Sequence, residues 1–151
     1  MGYPRAVGAI VVVLLTCVAL CSCASGPDYP SFPPPITKDV HSSLLDTFLA
    51  AKTVMDNDPR LDLQTLDKAG RLIAFEKTSG FIFFRHRTII DINLKPVGPQ
   101  ETSIIMNLSA EDYEMGGLTR PADWYPSAKV DTFLGEDILS LIEKELAKST
   151  G

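Results

Sequence analysis

Ile89-Ile90-Asp91-Ile92-Asn93-Leu94 is the stretch that decides the fold. Ile90, Ile92 and Leu94 fall on one side of an extended chain, and Asp91 and Asn93 on the other. That period of two is the mark of a strand with one buried face. In a helix, residues two apart point in different directions and this apolar set would be scattered. Downstream, Thr102-Ser103-Ile104-Ile105-Met106-Asn107-Leu108 repeats the pattern, with Ile104, Met106 and Leu108 facing one way. Pro96, Gly98 and Pro99 lie between the two segments and turn the chain. Two alternating segments joined by a turn predict neighbouring antiparallel strands.

Two more strands are expected upstream. Leu61-Asp62-Leu63-Gln64-Thr65-Leu66 alternates imperfectly, Asp67-Lys68-Ala69-Gly70 is a turn signal, and Arg71-Leu72-Ile73-Ala74-Phe75-Glu76-Lys77 follows as a strand. Thr78-Ser79-Gly80 breaks the chain again. Phe81–Leu94 reads as one long strand, or as two pieces bent at Arg85–Arg87.

Helical spacing flanks the strands. From Asp39 to about Met55, Val40, Leu44, Phe48, Ala51 and Met55 recur every three or four residues, and Leu45 and Leu49 widen the stripe. Asn57, Asp58 and Pro59 end that helix. From Asp131 to Lys148, Leu134, Ile138, Leu141 and Ile142 form a second stripe, extended by Phe133 and Leu146. Acidic residues near its start and Lys144 and Lys148 near its end suit the helix dipole. Ala110–Ser127 reads as a long connection. The expected fold is therefore α+β: helix, about four antiparallel strands, helix. It would form a two-layer domain with both helices packed on one face of the sheet.

This order resembles helix-grip-like domains, including those of the C-type lipoprotein of the outer-membrane β-barrel assembly machine. It also resembles small bacterial α+β proteins with a turn-strand pattern like Asp67-Lys68-Ala69-Gly70-Arg71-Leu72-Ile73-Ala74. The resemblance covers about residues 40–148 and implies no functional residue.

The N-terminus carries a different signal. Arg5 is the one charged residue before Asp28, and Ala6–Leu20 is almost wholly apolar. A basic start before a short apolar run is the secretory pattern, and the run falls short of the 20 or so residues of a spanning helix. Leu20-Cys21-Ser22-Cys23 closes it and resembles the signal peptide of a bacterial lipoprotein. That resemblance implies cleavage before Cys23, whose thiolate is the nucleophile for thioether linkage to lipid. Several acyl chains would then hold the protein at a membrane, where one alone anchors only marginally. Ala24, a non-acidic residue after the Cys, implies the outer membrane, facing the periplasm. Ala24–Lys38 holds five prolines and reads as a polyproline tether. The expected organisation is residues 1–22 signal peptide, 23–38 lipidated Cys and tether, and 39–151 one domain.

The chain of 151 residues has 14 basic and 19 acidic side chains, a net charge of −5. Cleavage before Cys23 removes Arg5 and makes the balance more acidic. Nucleic acid is excluded as a partner, because phosphate neutralisation needs a basic face. One mature Cys permits no internal disulfide and no Cys-based metal site.

Candidate chemistry is sparse. His41 and His86 sit in no ligand-spaced cluster. Asp56, Asp58 and Asp62 have partial calcium-loop spacing, but Arg60 occupies a ligand position. Glu111, Asp112 and Glu114 are too close in sequence for paired-carboxylate chemistry. No nucleophile motif is present, and Gly116-Gly117 lacks a following GK[ST]. Arg85-His86-Arg87 is the one basic concentration, a candidate for an anionic partner or for pairing with the protein's own acids. Arg120, Trp124 and Tyr125 are residue types that dominate binding surfaces, and they are the candidate partner-binding set.

The expectation is a non-enzymatic, lipid-anchored envelope protein without cofactor or metal, acting as accessory or scaffold for another envelope protein. The alternative is a small apolar or lipid ligand held between helix and sheet, lined by Phe75, Phe81, Phe83 and Phe84.

Overall fold

The computed structural model describes residues 31–67, 70–78, 85–118 and 120–149. The signal segment, Cys23, and Phe81, Phe83 and Phe84 lie outside the described residues. The elements run β1 (Ile36–Val40), α1 (Leu44–Asn57), β2 (Leu61–Asp67), β3 (Arg71–Glu76), β4 (Arg85–Gly98), β5 (Glu101–Glu114), β6 (Asp123–Ser127) and α2 (Thr132–Ser149). The fold is α+β with an antiparallel sheet and two helices. Six strands are described rather than four, in the order β1-β5-β4-β3-β2, and β6 also pairs with β5.

The two segments that decide the fold form its central hairpin. Ile90 stands opposite Leu108, Ile92 opposite Met106 and Leu94 opposite Ile104. All six are buried, and they share one cluster with Leu72 and Ala74 of β3, Ala51 and Met55 of α1, and Ile138 and Ile142 of α2. Each such aliphatic side chain contributes about 1.5–3 kcal/mol on leaving water. Pro96 lies inside β4, three residues before the turn at Pro99-Gln100. It is tolerated because the β3 register reaches only to Asn93, so no donor is missed on that side.

The helix expected from Asp39 begins later, at Leu44. Ile36–Val40 pairs with Met106–Thr102 as an edge strand. The expected tether therefore ends before Ile36, and the domain starts there rather than at Asp39. Ser43 caps its start: its side chain accepts from the Asp46 amide at 3.2 Å. Leu45 and Leu49 do not widen the buried stripe; they are 65% and 50% exposed, and Thr47 and Ala50 take those places in the core. Phe133 is also exposed rather than part of the α2 stripe.

The expected connection at Ala110–Ser127 is mostly strand. β5 runs on to Glu114, and Asp123–Ser127 folds back along it. Among the described residues no helix is long and apolar enough to cross a membrane.

Buried Asp58 ties the first helix to the last. It caps the C-terminal end of α1 and accepts Arg60 Nη2 at 2.6 Å, and Arg60 Nη2 also reaches Asp137 of α2 at 2.7 Å. The chief cause of the lowered Asp58 pKa is the Arg60 hydrogen bond, which burial opposes. Asp56 instead pairs with Lys52, and Asp62 accepts from Gln64. The three aspartates of the calcium-like spacing thus have three separate partners.

Candidate functional site

The β4–β5 register sets the basic triplet against Glu111, Asp112 and Tyr113. Arg85 stands opposite Tyr113, His86 opposite Asp112 and Arg87 opposite Glu111. Because strand side chains alternate, these pairs separate onto the two faces of the sheet.

On the face away from the buried cluster, Arg87 is the centre. Its Nε and Nη2 donate to Glu111 Oε2 at 2.9 and 2.6 Å. Its Cζ lies 4.4 Å from the Phe75 ring centre and 4.1 Å from that of Trp124. Tyr113 meets Trp124 edge-on, with centroids 5.4 Å apart and planes at 62°. The result is a row of three aromatic rings with one cation between two of them, a geometry that favours attraction on electrostatic grounds. Phe75 and Trp124 are half-buried and keep part of their surface in water. Phe75 is thus on the wrong face to line a cavity between helix and sheet, because it alternates with buried Leu72 and Ala74.

On the other face, His86 Nδ1 meets Asp112 Oδ1 at 2.7 Å, and Lys129 Nζ stands 3.9 Å from Asp112 Oδ2. Burial pushes the Asp112 carboxyl up, but hydrogen bonds from His86 and Ser127 and the charge of Lys129 bring it below its ordinary range. A cleft of about 530 Å³ opens here, lined by Arg85, His86, Asp112, Tyr113, Met115 and Lys129 among others.

The sequence-predicted set Arg120, Trp124 and Tyr125 does not form one patch. Trp124 and Tyr125 are neighbours on β6, so their rings take opposite faces. Tyr125 donates from Oη to the Pro121 carbonyl at 3.0 Å and carries Arg120 5.1 Å from its ring centre. Arg120 Nη1 lies 3.6 Å from Glu114 Oε1. Phe75, Arg87, Glu111 and Tyr113, which surround Trp124, were not in the predicted set. The signal that finds them is register: charges of opposite sign lie equally far from the turn around Pro99.

His41 is exposed in the β1–α1 connection. Among the described residues no group of three or more His, Cys, Asp or Glu is placed to hold a metal ion. The space between α2 and the sheet is closed at Gly135, where an added Cβ would stand 2.5 Å from Leu108 Cδ1.

No family model matches the chain, and no curated protein does. Among solved structures, a DUF4468 family protein from Bacteroides ovatus ATCC 8483 is similar at 10% identity. The alignment covers 76% of this chain and 83% of that one, with a TM-score of 0.36. A likeness at that level carries no argument about activity or ancestry.

Proposed function

We propose that this chain is a lipid-anchored, non-enzymatic protein of the bacterial cell envelope that acts as accessory or scaffold for another envelope protein. Lipid on Cys23 holds it in the outer membrane, facing the periplasm. What supports the anchor is the Leu20-Cys21-Ser22-Cys23 run followed by Ala24 and a Pro-rich stretch ahead of the first strand. In this reading the helices cover one face of the sheet and the partner takes the other.

The observation that carries the binding reading is the position of Trp124. Its ring is half-exposed on the helix-free face, held by Arg87 and Tyr113. Rigid aromatic side chains lose little entropy on binding, which is one reason they dominate hot spots. The contact set is Trp124 with Tyr113 and Phe75; Arg120 and Tyr125 lie to the other side.

The test is photo-crosslinking in cells from position 124, with position 125 as the control on the opposite face. An adduct to one envelope protein from 124 and none from 125 is expected. Equal adducts from both, or none from either, overturn the assignment of that face. Separately, Cys23→Ser is expected to abolish lipid labelling and release the protein from the membrane fraction.

A further inference from the structure

We propose that the β5–β6 hairpin end of the domain docks on an anionic phospholipid bilayer. This rests on the lipid-anchor reading only for where that bilayer lies.

β1 runs antiparallel to β5, with Ile36 opposite Met106 and Val40 opposite Thr102. The backbone therefore enters β1 from the end of the sheet where β5 meets the hairpin. Met106 is eight residues from Glu114, which is about 26 Å of strand. The twelve residues 24–35 reach about 37 Å at the rise of polyproline II. A bilayer holding lipid on Cys23 can therefore touch the hairpin end.

At the tip Leu118 is fully exposed and Met115 is about half-exposed. Gly117 N–H donates to the Arg120 carbonyl at 2.9 Å. Gly116 has φ +82°, and a Cβ there would stand 2.7 Å from Ala122 N, so only glycine fits. A fully exposed leucine at this position buries no apolar surface for the fold. It does present an aliphatic group to any apolar phase beyond the tip.

Arg120 and Lys129 are 60% and 81% exposed at this end. Arg85 is exposed on the wall of the cleft and has no ion-pair partner among the described residues. The acids at this end are Asp112, which faces His86 and Lys129, Glu114, which faces Arg120, and exposed Asp123, whose Oδ1 accepts the Trp124 amide. A lipid phosphate can be met by Arg85 on one face of the sheet or by Lys129 on the other while Met115 and Leu118 enter the acyl boundary. The chain as a whole is acidic, so the attraction depends on this local placement and weakens with salt.

The experiment uses the intact lipidated protein in nanodiscs of 70% phosphatidylethanolamine and 30% phosphatidylglycerol. Trp124→Phe removes the native fluorophore. Leu118→Trp reports from the tip, and Val97→Trp, at the opposite end of the same hairpin pair, is the control. Brominated lipid is expected to quench Trp at 118 several-fold more than at 97. Removing Arg85 or Lys129 should weaken the contact about fivefold per cation. Equal quenching at 118 and 97 overturns the docking, and unchanged quenching in pure phosphatidylcholine overturns the anionic preference. Mass spectrometry of the purified protein reads acylation of Cys23 on its own. If no lipid is found there, the same two variants are mixed with free vesicles, and quenching at 118 alone still decides the docking.

Discussion

Arg87 places its guanidinium 4.1 Å from the Trp124 ring centre while donating two hydrogen bonds to Glu111. The two residues come from strands that do not pair with each other; β5 lies between them. The stack therefore fastens the edge strand β6 to the middle of the sheet, and it fixes the ring that the binding reading depends on.

A double-mutant cycle measures that fastening. Trp124→Ala should lower stability by about 1–2 kcal/mol, and Arg87→Ala by about 2 kcal/mol because it leaves Glu111 half-buried and unpaired. The coupling between the two sites is expected near 1 kcal/mol in urea unfolding. Strict additivity would mean that the stack is only proximity.

How far the sequence discloses this arrangement depends on the residues. Ile89–Leu94 and Thr102–Leu108 alternate without interruption, so the central hairpin and its buried face are legible. The α2 stripe is legible for the same reason, except that Phe133 turns outward. β1 is hidden because Val40, Leu44, Phe48 and Met55 keep helical spacing across the true boundary at Ser43. Only pairing with Thr102–Met106, a long-range contact, makes Ile36–Val40 a strand. β6 is hidden by Pro121 and Pro126 and by the acidic run at 111–114. Those charges suggest a solvated loop until Arg87, His86 and Arg120 are set opposite them. The site is legible only as far as Trp124. Adjacency on a strand separates it from Tyr125, a consequence visible once residues 123–127 are known to be extended.

Gly135 sets the closeness of α2 to the sheet. An added Cβ would meet Leu108 Cδ1 at 2.5 Å and Ile36 Cδ1 at 3.2 Å. Leu108 is buried and has little room to yield. Gly135→Ala gains about 1 kcal/mol of helix propensity, against an overpacking cost of about 1–3 kcal/mol. The net expectation is destabilisation of about 1 kcal/mol. In a Leu108→Ala background the same change should become stabilising. A stabilised single variant would show that α2 can slide away freely.

Asp58 makes stability pH-dependent in a defined window. Its folded carboxyl is held below the ordinary 3.8, first by the Arg60 hydrogen bond. A depressed folded pKa means that the contribution is full above the unfolded value and lost as pH falls through the folded one. The difference in urea midpoint between wild type and Asp58→Asn should be constant from about pH 7 to about pH 5, and should shrink below about pH 4. A difference that persists unchanged to about pH 2 would assign the effect to the neutral cap rather than to the charge.

Thr88 offers a prediction of the opposite sign. It lies on β4 between His86 and Ile90 and is wholly buried, and its Oγ1 has no hydrogen-bond partner among the described residues. Its backbone N–H is satisfied, donating to Glu76 Oε2 at 3.1 Å. The hydroxyl thus loses water on folding and recovers no bond, a cost of about 1–3 kcal/mol. Val has the same shape and keeps the β-branch that suits a strand. Thr88→Val is therefore expected to raise stability by about 1 kcal/mol, seen as a higher urea midpoint with unchanged slope. Loss of stability would mean that the hydroxyl has a partner after all, in bound water or in residues 79–84, and the neighbouring His86–Asp112 face would then be wetter than its packing implies.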